Sequence, residues 1–289
     1  AGHTKAYRLI HAIYKAMNLP DPSVSFSQYT QAFVPCTHNA KNRFAAFLRN
    51  KWFNLGLLES AMRHKTMDFI GINYYSRQLV DVKRWGFGSI VSDICQNNHH
   101  PVEKNSLGWD IYPEGLYEVL IQLKKYNLPV IITENGMCTH DDAQRWKYLA
   151  AHLKSIHRAM EKGVAVRGYL YWSLIDNFEW DKGFGPRFGL IDIDYATQKR
   201  TVRESAIKFG QAFWKDRMRK IIWCVAMVLY PLTVLYAAGQ WEKQGDSYYL
   251  TKNTRDNFSA PGAGTNKFSA KYLRYDGIDF LVRGAEGWQ

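Results

Sequence analysis

The chain has 289 residues, 46% hydrophobic and 15% aromatic, enough apolar material to bury a large core and to exclude intrinsic disorder. Its formal charge of +12 admits nucleic acid or anionic lipid as a partner. However, Lys and Arg are scattered among Asp and Glu, and no basic run interleaves with aromatics in the first two hundred residues. The charge therefore reads as solvated surface, and a nucleic-acid binder is set aside.

In chain order, a helical pattern at 5–17 (Tyr7, Ile10, Ile13, Tyr14, Met17) opens the sequence with no cap, signal peptide or initiator Met before it, like an element cut from something longer. An extended stretch from Val24 to Val34 is broken off by Pro35, and amphipathic helices follow around 41–54 and 57–64. The run Met67-Asp68-Phe69-Ile70-Gly71-Ile72-Asn73-Tyr74-Tyr75 is dense in β-formers. A loop-rich segment covers 81–110, and Pro113-Glu114-Gly115 opens a helix to about Tyr126, with Pro early and an acid in the first turn.

Next comes Leu128-Pro129-Val130-Ile131-Ile132-Thr133-Glu134-Asn135-Gly136, a short apolar run that ends in a carboxylate and a turn-forming Asn-Gly pair. Such a run describes a buried parallel strand that delivers an acid to its C-terminal edge, where a (β/α) barrel does its chemistry. The plainer alternative is a surface Glu opening a loop. Trp146, Leu149, Ala150, Leu153, Ile156 and Met160 then mark one face of a long helix stopped by Gly163. The run Val166 to Ser173 leads into a polar, aromatic loop, and a last helix spans about 202–214. Alternating strands and helices imply an α/β fold with a parallel sheet. The four strands make half of an eight-stranded TIM barrel over 1–214.

Beyond this, 215–241 comprises a basic flank (Lys215, Arg217, Arg219, Lys220) and the uncharged run 221–239, close to the length of a membrane span, with Trp223, Tyr230, Tyr236 and Trp241 as interface anchors. A buried core helix is the alternative. The positive flank predicts a cytoplasmic barrel tethered through 221–239. Residues 242–289 are polar, rich in Gly and Ser, and stay unassigned. Cys36, Cys95, Cys138 and Cys224 form no Cys-x-x-Cys pair, which suggests neither a disulfide framework nor a zinc site and fits a reducing compartment. His99-His100 reads as solvated loop rather than a metal site.

Three motifs in order carry a family resemblance. Thr133-Glu134-Asn135-Gly136 after its apolar strand resembles the nucleophile motif of the family-1 glycoside hydrolases, the β-glucosidase family. Asn73-Tyr74-Tyr75-Ser76 resembles the preceding active-site strand. Trp172-Ser173-Leu174-Ile175-Asp176-Asn177-Phe178-Glu179-Trp180, followed by Arg187-Phe188-Gly189-Leu190, resembles the sugar-binding loop. The match runs from about residue 3 to 213 and implies that the four strands belong to the barrel's last four βα units.

The resemblance implies a retaining β-glycosidase acting on a small or oligomeric β-glycoside, with neither metal nor organic cofactor. Glu134 would be the nucleophile, and Tyr75 would orient it by a hydrogen bond. Trp172, Glu179 and Trp180 would bind the sugar, Glu179 bridging two hydroxyls, and Asn73 would reach either the sugar or the second carboxylate. Phe188 would close the aglycone side and Trp109 help line the entrance, although packing is the preferred reading of both. The carboxylate at Glu179 points to an unphosphorylated glycoside, because it would repel a phosphate.

The chain departs from the family in having no Asn-Glu-Pro, the motif that carries the general acid/base. That acid is expected upstream of the helix at 5–17; Glu59 and Glu114 fall on helical segments and are not substitutes. The rival reading is a non-catalytic, membrane-tethered carbohydrate-binding or receptor-like relative.

Overall fold

The computed structural model describes residues 2–95 and 101–214, and four strands between 241 and 283. The elements are α1 (Gly2–Ala16), β1 (Ser27–Pro35), α2 (Ala40–Arg49), a π-helical turn (Asn50–Asn54), α3 (Gly56–Arg63), β2 (Ile70–Val80), α4 (Phe87–Ser92), α5 (Pro113–Leu123), β3 (Val130–Asn135), α6 (Asp142–Glu161), β4 (Val166–Tyr171), a small hairpin of β5 (Ile191–Ile193) and β6 (Arg200–Val202), and α7 (Glu204–Trp214). Strands β1 to β4 form one parallel sheet in sequence order.

The sheet's two faces follow from period-two alternation. On β2, Ile70, Ile72 and Tyr74 are fully buried, while Asn73 and Tyr75 point the other way and are half-buried. The buried face packs against Leu116, Leu120 and Leu123 of α5, Leu149, Leu153 and Ile156 of α6, and Phe209 of α7. Full burial of each Leu or Ile stabilises by about 1.5–3 kcal/mol. Local signals agree: Pro113 sits in the first turn of α5, and Asp141 caps α6 by accepting from the N–H groups of Ala143 and Gln144.

The structure redraws several expectations. β2 runs on to Val80, five residues past the β-forming run, because its far end pairs with β1 up to Pro35. The helix expected over 41–54 ends at Arg49 and continues as the π turn. The segment 81–110 contains α4, and Cys36 is disulfide-bonded to Cys95. That bond corrects the reading of the cysteines as unpaired. Their separation of 59 positions hides it, and the fold creates it by placing Cys36 just beyond β1 and Cys95 beside Leu79, whose carbonyl accepts its N–H. Cys138 is free and buried.

No helix among the described residues is long and apolar enough to cross a membrane. The run 221–239 with its basic flank, Cys224 and His99-His100 lie outside the described residues. The chain divides into units 1–230 and 231–289. Within the second, of which the sequence reading left 242–289 unassigned, β7 (Trp241–Gln244) pairs antiparallel with β8 (Ser247–Leu250), and β9 (Ala270–Tyr275) with β10 (Ile278–Arg283), so Trp241, expected as an interface anchor, opens a strand.

Candidate active site

Strict alternation along β3 would put Glu134 on the helix-facing side with Val130 and Ile132. A register shift prevents this: Ile132 pairs with Ile72, but the next pair is Glu134 with Asn73, so Thr133 is the extra residue of a bulge. Paired residues of a parallel ladder share a face, and bulges re-aim side chains in this way. Glu134 thereby joins Asn73 and Tyr75 on the open face, at the C-terminal end of the sheet. The Thr133 hydroxyl fixes the bulge, bonding the Ile72 carbonyl at 3.0 Å and Asn73 Oδ1 at 2.5 Å.

Tyr75 donates its hydroxyl to Glu134 Oε2 at 2.7 Å. Burial first, and then this bond to a carboxylate, push the phenol far above the usual tyrosine range, so it stays a donor. The next residue, Asn135, is fully buried. Its amide donates to the Tyr74 carbonyl at 2.7 Å and Tyr148 Oη at 2.8 Å, while Tyr169 Oη donates to its Oδ1 at 2.9 Å. Asn135 thus locks the strand end that carries Glu134 to β2, β4 and α6.

The loop after β4 is held as firmly. The buried Asp176 accepts from the Gly189 N–H at 2.8 Å, from Arg203 at 3.0 Å and from Arg187 at 3.2 Å. Burial alone would raise its carboxyl, but the Arg203 and backbone hydrogen bonds outweigh this and hold it below the ordinary aspartate range. Arg145, wholly buried on α6, donates to the carbonyls of Met137 at 3.0 Å, Thr139 at 2.6 Å and Arg187 at 3.1 Å. It joins the loop after β3 to the loop after β4. Gly136 is needed between them, since a Cβ there would lie 1.8 Å from the Trp172 carbonyl oxygen.

On this frame Trp172 is half-buried, and Glu179 Oε2 accepts from Asn177 Nδ2 at 2.8 Å. Trp180 is 81% exposed, with its ring in solvent. Phe188 is buried, its ring 6.4 Å from Tyr75 and 6.2 Å from Trp109, so of the two roles expected of it, packing or closing the aglycone side, it is placed to pack. Its neighbours explain the burial: it sits beneath Tyr75 and next to the Asp176–Gly189 contact. Trp109, 5.8 Å from Tyr75, is the most exposed member of this aromatic trio, and its backbone N–H donates to Asn105 Oδ1 at 2.9 Å. Glu59 and Glu114 are engaged by Lys51 and Arg158, away from these groups in the helical layer.

Sequence reading overlooked the residues that hold the others. Asn135 and Asp176 stand inside the quoted motifs, so their polarity within otherwise buried segments was a usable signal. Arg145 gave none, because one Arg on an amphipathic helix looks like solvated surface.

Comparison with known proteins adds to this geometry. Residues 58–217 match the model of glycosyl hydrolase family 1. The chain is 42% identical over 151 residues to a β-galactosidase of Sulfolobus acidocaldarius, covering 50% of this chain and 31% of that protein. It is 33% identical over 226 residues to a chloroplastic galactolipid galactosyltransferase of Arabidopsis thaliana, covering 74% of this chain and 33% of that one. A family 1 β-glucosidase structure from Thermotoga maritima superposes with a TM-score of 0.63 at 28% identity, over 73% of this chain and 54% of that chain. The chain spans about a third of the length of the curated relatives it matches.

Proposed function

The chain belongs to glycosyl hydrolase family 1, and from that premise we propose that in a complete barrel Glu134 is the nucleophile of a retaining β-glycosidase acting on unphosphorylated β-glycosides. The observation that carries this reading is the Tyr75–Glu134 hydrogen bond at the C-terminal end of the parallel strands. Tyr75 occupies Oε2 and fixes the carboxylate plane, leaving Oε1 to attack the anomeric carbon. The leaving oxygen takes its proton from a second carboxylic acid about 5–5.5 Å away. That acid is expected from the strand preceding α1, where the family carries its Asn-Glu-Pro. The covalent glycosyl–enzyme is then opened by water, which gives its proton to the same acid, and the anomeric configuration is retained.

The remaining groups bind the sugar. Glu179 accepts from two hydroxyls, Trp180 closes from its exposed position to donate its indole N–H, and Trp172 offers an apolar face. Asn73, whose carbonyl oxygen is taken by Thr133, keeps its amide N–H groups for a sugar hydroxyl. A second reading, glycosyl transfer, is favoured by the long alignment with the galactosyltransferase. In that case an acceptor hydroxyl replaces water at the same covalent intermediate.

The test is Glu134→Ala in active protein. Turnover should fall by about four orders of magnitude or more, and azide should partly restore it, yielding the α-glycosyl azide. Little loss of rate, or rescue giving the β-product, would reassign the nucleophile.

A further inference from the structure

The Cys36–Cys95 pair has a third member. A carboxylate oxygen of Asp81 and the two sulfurs all lie within 4.8 Å of one another. Backbone contacts hold these residues together apart from the sulfur bond. The Cys36 N–H donates to the Val80 carbonyl at 2.8 Å and the Cys95 N–H to the Leu79 carbonyl at 3.0 Å, so both cysteines are fixed to the last residues of β2, directly before Asp81. Ile94 adds an antiparallel bridge to Val80. The segment carrying α4 is anchored by the buried Arg49 of α2, whose Nε donates to the Ile90 carbonyl at 2.7 Å and whose Nη2 donates to the Asp93 carbonyl at 2.7 Å.

The Asp81 side chain is oriented in its turn. Asn42, wholly buried, donates from Nδ2 to Asp81 Oδ1 at 3.1 Å and accepts the Val82 N–H on its Oδ1 at 2.8 Å. A buried amide that aims a carboxylate in this way is how metal-ligating carboxylates are held. Opening the sulfur bond therefore leaves two thiols and a carboxylate converging on one point. No Cys-x-x-Cys spacing betrays the set in the sequence, because three separate segments supply it.

We infer that Cys36, Cys95 and Asp81, once reduced, bind one Zn2+ ion, with water as the fourth ligand. The donors select the class of metal: two thiolates and a carboxylate suit a borderline cation, whereas Mg2+ and Ca2+ take oxygen alone. The reach also fits. Zn–S bonds of about 2.3 Å place tetrahedral ligands about 3.7 Å apart, and side-chain rotation brings atoms already within 4.8 Å to that spacing over a still backbone. The gate is a two-electron exchange. A dithiol attacks the half-buried Cys95 sulfur, its second thiol resolves the mixed disulfide, and it leaves as a cyclic disulfide while Cys36 and Cys95 each gain a hydrogen. Zn2+ then displaces both thiol protons to solvent and takes over the link between β1, β2 and the α4 segment. Asp81 lies six positions past Tyr75 on extended chain, up to roughly 20 Å at about 3.3 Å per residue, so this site is separate from Glu134 and independent of the role given to it.

The full-length protein, reduced with a water-soluble phosphine that is then removed without air, tests this with Zn2+ alone. It should bind one Zn2+ per chain tightly enough to compete with a chromophoric chelator, and the oxidised protein should not. Cys36→Ser and Asp81→Asn should each weaken binding by about 100-fold or more, at least what loss of a residue that only orients a ligand costs. Cys138→Ser/Cys224→Ser should bind as the unsubstituted protein does. A second readout needs no variant: in the reduced protein Zn2+ should shield Cys36 and Cys95 from alkylation, as read by peptide mass spectrometry. Shielding of Cys138 or Cys224 instead, equal binding by the oxidised protein, binding that Asp81→Asn leaves unchanged, or a disulfide that the phosphine does not open in the folded chain would overturn the assignment.

Discussion

Tyr75 and Glu134, 59 positions apart, meet through a 2.7 Å hydrogen bond across neighbouring strands β2 and β3. The contact exists because the bulge at Thr133 turns Glu134 onto the face that Tyr75 already occupies. If Tyr75 positions the nucleophile, Tyr75→Phe should lower kcat for an aryl β-glycoside by about 10- to 100-fold while changing KM little. The fold should be spared, because the ring still packs on Trp109 and Phe188. Stopped-flow measurement of the glycosylation step checks this, and an unchanged rate would leave Tyr75 a packing residue.

Gly136 is where the loops after β3 and β4 pass closest. Gly136→Ala would press a methyl against the Trp172 carbonyl, and backbone on both sides cannot yield cheaply. A loss of about 3 kcal/mol or more is expected, measured by denaturant unfolding. Any activity that remains should fall further than stability alone explains, because Trp172 and Glu134 shift relative to each other.

The buried His152 sets an acid limit on stability. Its Nδ1 lies 2.8 Å from the Tyr148 carbonyl, and its Nε2 has no partner among the described residues. Burial lowers its pKa from 6.5 to about 4, only partly opposed by the Tyr148 carbonyl. Between those values the unfolded chain takes up a proton that the folded chain refuses, so stability is full above about pH 6.5 and falls as pH drops toward 4. The loss is on the order of 3 kcal/mol. His152→Leu should flatten the stability curve across that window, whereas parallel curves for the two proteins would place the acid sensitivity elsewhere.

Much of the sheet was legible because burial on both faces writes apolar runs: Val130 to Ile132 and Ile70 to Ile72 announced β3 and β2, and the acid at the end of β3 announced a site. Less was legible where geometry depends on distant partners. A bulge leaves no local mark, so nothing in Thr133-Glu134 told which face the carboxylate takes. Phe188 and Trp180 sit in similar aromatic company in the sequence, yet one is buried and the other almost free, because the Asp176–Gly189–Arg203 cluster pulls only the first inward. Arg49 and Phe47 exchange the places that hydrophobicity alone would give them, since the guanidinium finds carbonyls of α4 to satisfy it.

The most direct test of the account is covalent trapping. Protein that turns over an aryl β-glycoside should be inactivated by a 2-deoxy-2-fluoro-β-glycoside with a good leaving group, and peptide mass spectrometry should find one sugar on Glu134. Glu179→Gln should weaken sugar binding but leave that labelling in place. A label on Glu179, or on any other residue while Glu134 stays unmodified, would contradict the assignment of the nucleophile.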